Sequence, residues 1–372
     1  MKVLQVLPEL NSGGVERGTL EVAGYLVENG HEAVVVSNGG RMVEELVRCG
    51  ARHIAMPVHK KSLGSLFQVK AFREMLEKEK PDILHVRSRV PAWIAYLAWR
   101  KMDPATRPRL VSTVHGFYSV NFYSAVMTKG ERVIAVSESI RKYILENYPG
   151  TPDEKITVIH RGVSPGQFPR GYQPDEEWLG KWKSDYPQLA GKTVLLLPGR
   201  LTRWKGQEDF IRLLAELKKV GMNVHGLLLG ETHPRKREFE EELRASAGKL
   251  GVLDDLTFLG HRKDVREVMS VADLTLSLSH DPEAFGRVSL EAATLGKPVV
   301  GYDHGGVAEQ LRVLFPEGTV PVGDEVKLAE KVRKILQSDL VPGGVHEAFL
   351  LDSMLKNTLG VYEDLLASEA VA

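Results

Sequence analysis

Two cations stand five residues apart where an apolar run gives way to a helical pattern. In Pro198-Gly199-Arg200-Leu201-Thr202-Arg203-Trp204-Lys205-Gly206, Arg200 follows the run and Lys205 precedes the glycine that opens the helix. A guanidinium and an ammonium converging on one strand end suit a diphosphate, since Arg grips two oxygens and Lys adds a point charge. Each alone also fits an ordinary solvated charge. A second group follows in His280-Asp281-Pro282-Glu283-Ala284-Phe285-Gly286-Arg287-Val288-Ser289-Leu290-Glu291. Glu283 lies in a loop, and Phe285-Gly286 begins a helix. The amides of Phe285, Gly286, Arg287 and Val288 are then first-turn donors open to sugar hydroxyls or phosphate oxygens. Glu291, one turn further in, points back toward the same place and accepts from a pair of vicinal hydroxyls. Exposed glutamates are common on helices, so a plain charged surface is the competing reading. A third group is the turn containing Gly13 and Gly14, which allows close backbone approach to a ligand or serves as a tight turn that binds nothing. It lacks the G-x-G-x-x-G spacing of a dinucleotide site, and the second strand ends in Ser37 and Asn38 with no acid.

These groups need rigid elements to position them. Short β-branched runs alternate with helical patterns along the whole chain, the signature of parallel sheets covered by helices. Strands are expected at Lys2 to Leu7, Ala33 to Ser37, His53 to Met56, Ile83 to Val86, Leu110 to Val114, Val133 to Val136 and Thr157 to Ile159. A second series is expected at Val194 to Leu197, Val224 to Leu229, Leu256 to Phe258, Leu274 to Leu278, Val299 to Tyr302 and Thr319 to Val322. Between them Pro165, Pro169, Pro174 and Pro187 break the rhythm. The expected organisation is α/β: a first doubly wound domain over 1–165, a linker over 166–190 and a second domain over 191–344. The ligand cleft then lies between the domains at the carboxyl ends of the strands.

The 372 residues are 43% hydrophobic, enough for two cored domains, and 49 Lys+Arg balance 49 Asp+Glu. Zero net charge argues against a chain that coats nucleic acid. Residues 1–170 nevertheless carry 24 Lys+Arg against 17 Asp+Glu, a charge of +7, and residues 171–372 carry −7. A positive first half suits an anionic partner. The single cysteine, Cys49, fits a reducing compartment, and no apolar run reaches the roughly 18 residues of a spanning helix, so a cytoplasmic location is expected. Trp93, Tyr96, Trp99, Arg100 and Lys101 follow Arg87 and Arg89 in one helical stretch. They suit peripheral contact with an anionic membrane, or a helix packed on its sheet.

Glu283 and Glu291, with Phe285 and Gly286 between them, match the E-x7-E signature of retaining glycosyltransferases of family 4. The chain resembles that family further at Gly13-Gly14-Val15-Glu16, Val114-His115-Gly116, Ala135-Val136-Ser137-Glu138-Ser139, Ile159-His160-Arg161-Gly162-Val163, Gly199-Arg200 with Lys205-Gly206, and Gly296-Lys297-Pro298-Val299-Val300. The matches keep family order from Leu4 to about Gln310.

The resemblance implies a GT-B fold, two Rossmann-like domains facing a central cleft, with a C-terminal helix over about 345–372 crossing back onto the first domain. It implies that Arg200 and Lys205 hold the donor's diphosphate, Glu291 its ribose, and Glu283 with the following amides its sugar. Gly13 and Gly14 close over the donor phosphate and acceptor, and His115 lies near the sugar; a strand-capping core histidine is its plainer reading. Glu283, His115, Arg200 and Lys205 are the implied catalytic set. Ser137 and Glu138 fit a helix cap better than a substrate contact. No metal is expected, because two fixed cations and a helix N-terminus can neutralise the leaving phosphate and no Asp-x-Asp triplet suits a bound ion. No cofactor is expected beyond the donor itself, with a UDP-sugar first by family habit. The loop Arg87-Ser88-Arg89 departs from the His or Asn of many relatives, which leaves the acceptor open. A glycan or lipid-linked acceptor, lipopolysaccharide core foremost, is the expectation. A nucleotide-sugar epimerase and a non-catalytic GT-B surface-binding protein are the alternatives.

Overall fold

The computed structural model describes residues 1–11, 13–59, 65–231 and 238–367, without the side chains of 65–67; Ser12 of the first glycine turn lies outside them. The chain forms two compact units. The first comprises Met1–Arg161 with Leu351–Ala372, the second Gly162–Leu350.

The first unit is built on seven parallel strands: β1 (Lys2–Val6), β2 (Glu32–Ser37), β3 (Arg52–Ala55), β4 (Ile83–Val86), β5 (Arg109–Val114), β6 (Arg132–Ala135) and β7 (Ile156–Val158). Their order is β3-β2-β1-β4-β5-β6-β7. The second unit has β8 (Thr193–Pro198), β9 (Val224–Leu229), β10 (Leu256–Gly260), β11 (Leu274–Ser277), β12 (Val299–Tyr302) and β13 (Thr319–Val320), in the order β10-β9-β8-β11-β12-β13. Helices cover both faces of such sheets, so the inner strands are buried on both sides and largely apolar; every residue of β9 is buried, His225 included. In each sheet the order reverses direction once, between β1 and β4 and between β8 and β11. At such a switch point the loops leaving the two strands diverge to opposite faces and open a crevice at their carboxyl ends.

The stretch read as a linker, 166–190, is part of the second unit. It contains the helix Glu176–Asp185, capped by the Asp175 carboxylate accepting from the Trp178 amide at 2.8 Å. Trp178 and Trp182 stack at 5.0 Å on one face of that helix, and the Trp178 indole donates to Asp264 at 2.8 Å. The prolines mark turns on the surface of a domain, and tryptophans one helical turn apart anchor the segment between them.

The last helix is Leu351–Ala367, shorter than expected at its start and with 368–372 outside the described residues. Its Met354, Leu355, Val361, Tyr362 and Leu365 join the core of the first unit with Leu20, Ala23 and Leu26 of the helix Gly14–Glu28. This assignment redistributes charge. Residues 351–372 hold one Lys against four acids, and Arg170 belongs to the second unit, so the first unit carries 24 Lys+Arg and 21 Asp+Glu, a net +3 rather than the +7 of residues 1–170.

Tyr362 also ties this helix to the sheet, since its hydroxyl meets His85 Nδ1 at 2.7 Å while Thr113 Oγ1 meets Nε2 at 2.6 Å. Burial, with Arg87 and Arg161 nearby, holds the His85 pKa well below its ordinary value, so the folded ring is neutral. The unfolded chain titrates near pH 6.5 and then binds more protons than the folded one, so stability must fall as pH drops below that value. His115 and His225 act in the same direction, the latter pushed down to about 4 by burial and by Lys192. The unfolding midpoint, measured by calorimetry, is expected to be lower at pH 5 than at pH 7, each such histidine contributing at most about 1.4 kcal/mol per pH unit. A midpoint unchanged over that range would contradict neutral, buried rings.

Candidate active site

In the second unit the switch point joins the two motifs. The loop after β8 carries Arg200 and a single 3-10 turn, Arg203–Lys205; the loop after β11 carries Ser279 to Gly286. Adjacent parallel strands place the two loops side by side. Gly206 sets how closely they approach: it lies at φ 75°, and a Cβ there would stand 2.0 Å from the Leu278 carbonyl oxygen. The His280 amide also donates to the Trp204 carbonyl at 2.7 Å, so the two loops are hydrogen-bonded to each other.

That approach brings Lys205 Nζ to 2.7 Å from Glu283 Oε1, with side chains only 18% and 19% exposed. The Ser279 hydroxyl donates to the same carboxylate oxygen at 2.5 Å. His304 Nε2 meets the Ser279 carbonyl at 2.7 Å, and the Gly306 amide donates to the Glu283 carbonyl at 2.8 Å, which fixes the loop from the helix Gly305–Leu314. Lys205 Nζ also lies 4.4 Å from the centre of the Trp204 ring. A cation and a carboxylate are thus held in contact, each with a second partner. Arg200, at the end of β8, is exposed and makes no ion pair among the described residues.

The helix after Glu283 starts later than expected. Gly286, with φ 83°, is its N-cap, and the helix runs Arg287–Thr294. Phe285 precedes it, and its ring is core, 5% exposed and 6.2 Å from the Phe349 ring. The ring is thereby withdrawn from any ligand, and the Phe285 carbonyl accepts from Gln310 Nε2. No side chain caps this helix, so the amides of Arg287, Val288 and Ser289 are its first-turn donors. Glu291 stands one turn in and meets Arg287 Nε at 3.3 Å.

Behind these loops lies a cluster that the sequence did not reveal. Asp209, 2% exposed on the helix Gln207–Lys219, accepts from the Tyr302 hydroxyl and pairs with Arg212, and its Oδ2 meets His280 Nε2 at 2.8 Å. It fixes His280, and through it the start of the Glu283 loop. Asp209 sits in a helical pattern that reads as surface, and only the strand order brings Tyr302 and His280 to it.

The other expected residues lie in the first unit. Gly13 is the N-cap of the helix Gly14–Glu28, and the Glu16 carboxylate folds back to within 2.5 Å of where a Gly13 Cβ would be. An acidic group therefore already faces the amides expected to meet a phosphate. His115 follows β5; part of the residue is exposed, yet both ring nitrogens are buried and without a hydrogen-bond partner. The satisfied core histidine of this unit is His85. Ser137 caps the helix Glu138–Asn147, accepting from the Ile140 amide at 3.2 Å. The tryptophans of the helix Arg89–Trp99 are used internally: Trp99 is 7% exposed with its indole donating to the Pro108 carbonyl at 2.6 Å, and Trp93 donates to Tyr123 at 2.8 Å.

Residues 12–167 match the family model described as Glycosyltransferase Family 4, and residues 181–343 match Glycosyl transferases group 1. The crystal structure of a glycosyltransferase from Rickettsia africae is 30% identical, with a TM-score of 0.85 and 98% of each chain covered. The chain belongs to glycosyltransferase family 4. Its two Rossmann-like units are those of the GT-B architecture, and it is a glycosyltransferase. Among other family members, the D-inositol 3-phosphate glycosyltransferase of Acidothermus cellulolyticus is 28% identical over 66% of this chain, and the chain spans only 56% of that protein's length. The lipopolysaccharide glucosyltransferase WaaG of Escherichia coli is 34% identical over 41% of this chain and 40% of its own. The structure of Anabaena HepE in complex with UDP and glucose shares the fold, at 21% identity, TM-score 0.76 and full coverage of both chains. The glycosyltransferase described here has no helix, among the described residues, long and apolar enough to cross a membrane.

Proposed function

We propose that this glycosyltransferase moves a hexose from a UDP-sugar, with retention and without a metal, to an anionic glycan or lipid-linked acceptor of the bacterial cell surface. Lipopolysaccharide core is the first acceptor to test. The observation that carries the reading is the Lys205–Glu283 contact at the switch point, beside the uncapped helix at Gly286. The UDP and glucose held by HepE and the activity named for WaaG support the donor and acceptor classes.

On this reading an arriving diphosphate replaces one anion at Lys205 by another. Lys205 turns to the phosphate with Arg200, and Glu283, still held by Ser279, is released to accept from sugar hydroxyls. The bond from the anomeric carbon to the phosphate breaks, and charge collects on the phosphate facing Lys205, Arg200 and the first-turn amides. The acceptor oxygen attacks on the same face, and its proton passes to the departing phosphate oxygen. Glu283 serves as a hydroxyl acceptor and is not a covalent nucleophile, because the second carboxylate, Glu291, is assigned to the ribose.

A screen of nucleotide sugars, scored by release of the nucleoside diphosphate, tests the donor. UDP-glucose or a UDP-N-acetylhexosamine is expected to be cleaved at an unchanged rate in excess EDTA. A rate abolished by EDTA and restored by Mg²⁺ would overturn metal independence, and ring isomerisation without an acceptor would overturn transfer. The proposed setting is cytoplasmic, peripheral to the inner membrane face, where exposed Phe122, Val120, Arg100 and Lys101 present apolar and basic groups. Co-flotation with phosphatidylglycerol vesicles at low salt is expected; a protein left at the bottom of the gradient would dismiss the contact.

A further inference from the structure

The loop carrying Lys205 and the loop carrying Glu283 are joined at the contact between those two side chains and again at His280. The proposed transfer breaks the first junction, since a diphosphate that draws Lys205 toward itself parts it from Glu283 Oε1, 2.7 Å away. The second junction survives that exchange. The His280 amide donates to the Trp204 carbonyl at 2.7 Å, and the ring Nε2 meets Asp209 Oδ2 at 2.8 Å.

Asp209 is 2% exposed on the helix Gln207–Lys219, and a carboxylate taken out of water must be compensated by donors. The Tyr302 hydroxyl donates to its Oδ2, and Arg212 pairs with its Oδ1. A carboxylate only accepts, so the His280 nitrogen facing it carries the proton and donates. Tyr302, 1% exposed, also meets the His280 ring edge-on at 5.6 Å between centres. A buried anion and a buried aromatic therefore set the ring, although the His280 side chain itself is 43% exposed. Asp209 follows Lys205 by four residues, across the Gly206 N-cap of its helix, so its carboxylate is a fixed reference for the lysine. His304 and Gly306 also hold the Glu283 loop, but they tie it to the helix Gly305–Leu314 and not to Lys205.

We infer that Asp209 is a positioning residue for the transfer: through His280 it keeps Glu283 in register with Lys205 after the diphosphate has separated the two side chains. The inference rests on the exchange at Lys205 described in the proposed function. In the unliganded protein the ion pair makes this clasp redundant; with nucleotide bound, the clasp holds the register.

The experiment follows amide hydrogen exchange over residues 279–286, with and without UDP, in the full chain and in His280→Ala. Exchange in the variant is expected to match the unmodified protein without UDP and to be faster with UDP bound. Turnover of UDP-glucose, read as UDP release, should fall about tenfold in kcat, because small misplacements of a substrate contact are costly. UDP affinity by calorimetry should stay the same, since Lys205 and Arg200 are intact. His280→Gln, whose side-chain amide donates from about the place of the imidazole Nε2, should restore both exchange and kcat. Asp209→Ala should reproduce His280→Ala, and the double variant should be no slower than the slower single, because both cut one link. Thermal melts check folding, and the two His280 variants decide the matter if Asp209→Ala is unfolded. Unchanged exchange and kcat in His280→Ala overturn the inference. So does exchange that is faster with and without UDP alike, the mark of a merely structural role, or a slow His280→Ala beside a folded Asp209→Ala of normal kcat. The donor reading fails separately: UDP bound by Lys205→Ala as tightly as by the unmodified protein would remove the exchange at Lys205, whatever the His280 variants do.

Discussion

Lys205→Ala is expected to lower kcat/KM for sugar transfer by about 10²–10³-fold, the usual cost of removing one group aimed at developing charge. It should also weaken UDP binding by roughly 10–100-fold, because a charge-assisted contact to phosphate is worth about 1.5–3 kcal/mol. Both effects follow from where the ammonium is held: at the switch point, on a single 3-10 turn fastened to the next loop, 2.7 Å from a carboxylate that a diphosphate must displace. The fold should survive. The pair is partly exposed, and Ser279 still donates to Glu283 once the lysine is gone. Steady-state kinetics, UDP calorimetry and a thermal melt check the three statements. Near-normal turnover in a folded Lys205→Ala enzyme would remove Lys205 from the site.

Glu283→Ala is expected to lower kcat by a similar factor of about 10²–10³, through lost contacts to the sugar in the transition state. Its effect on UDP should have the opposite sign. In the unliganded protein Glu283 occupies Lys205, so its removal frees the cation, and UDP should bind as tightly as before or tighter. Lys205→Ala weakens UDP and Glu283→Ala does not; that divergence separates two roles which a fall in activity alone would leave merged. If Glu283→Ala weakened UDP as much as Lys205→Ala, the carboxylate would be a structural support of the lysine and not a sugar contact. Glu283→Gln refines the test, since it keeps the size of the side chain and removes its charge.

The strands and the motifs of the candidate site were legible because both are local. Buried parallel strands are short β-branched runs, and all thirteen fall within about two residues of expectation. Arg200, Lys205, Glu283 and Gly286 announce themselves through glycine-marked turns at strand ends. Phe285 was misplaced because a helix start was read from pattern alone; the left-handed Gly286 cap moves it by two residues and leaves the phenyl ring in the core. The linker was misread because prolines and glycines punctuate a surface segment as strongly as a hinge, and only the packing of Trp178 and Trp182 tells them apart.

By itself, then, the order of residues determined two α/β units, the placement of their motifs at strand ends, and the chemical types available there. Those properties depend on neighbours a few residues apart. Strand order, and everything that follows from it, was decided only by the tertiary structure. The β8–β11 adjacency is what puts Lys205 against Glu283 and gathers Asp209, His280 and Tyr302 behind them. The β1–β4–β5 adjacency buries Arg87 beside His115, and the return of the acidic last helix, with Arg170 falling in the second unit, reduces an apparent +7 to +3. Contact, burial and summed charge are properties of groups brought together across the chain, and local sequence carries no record of which groups will meet.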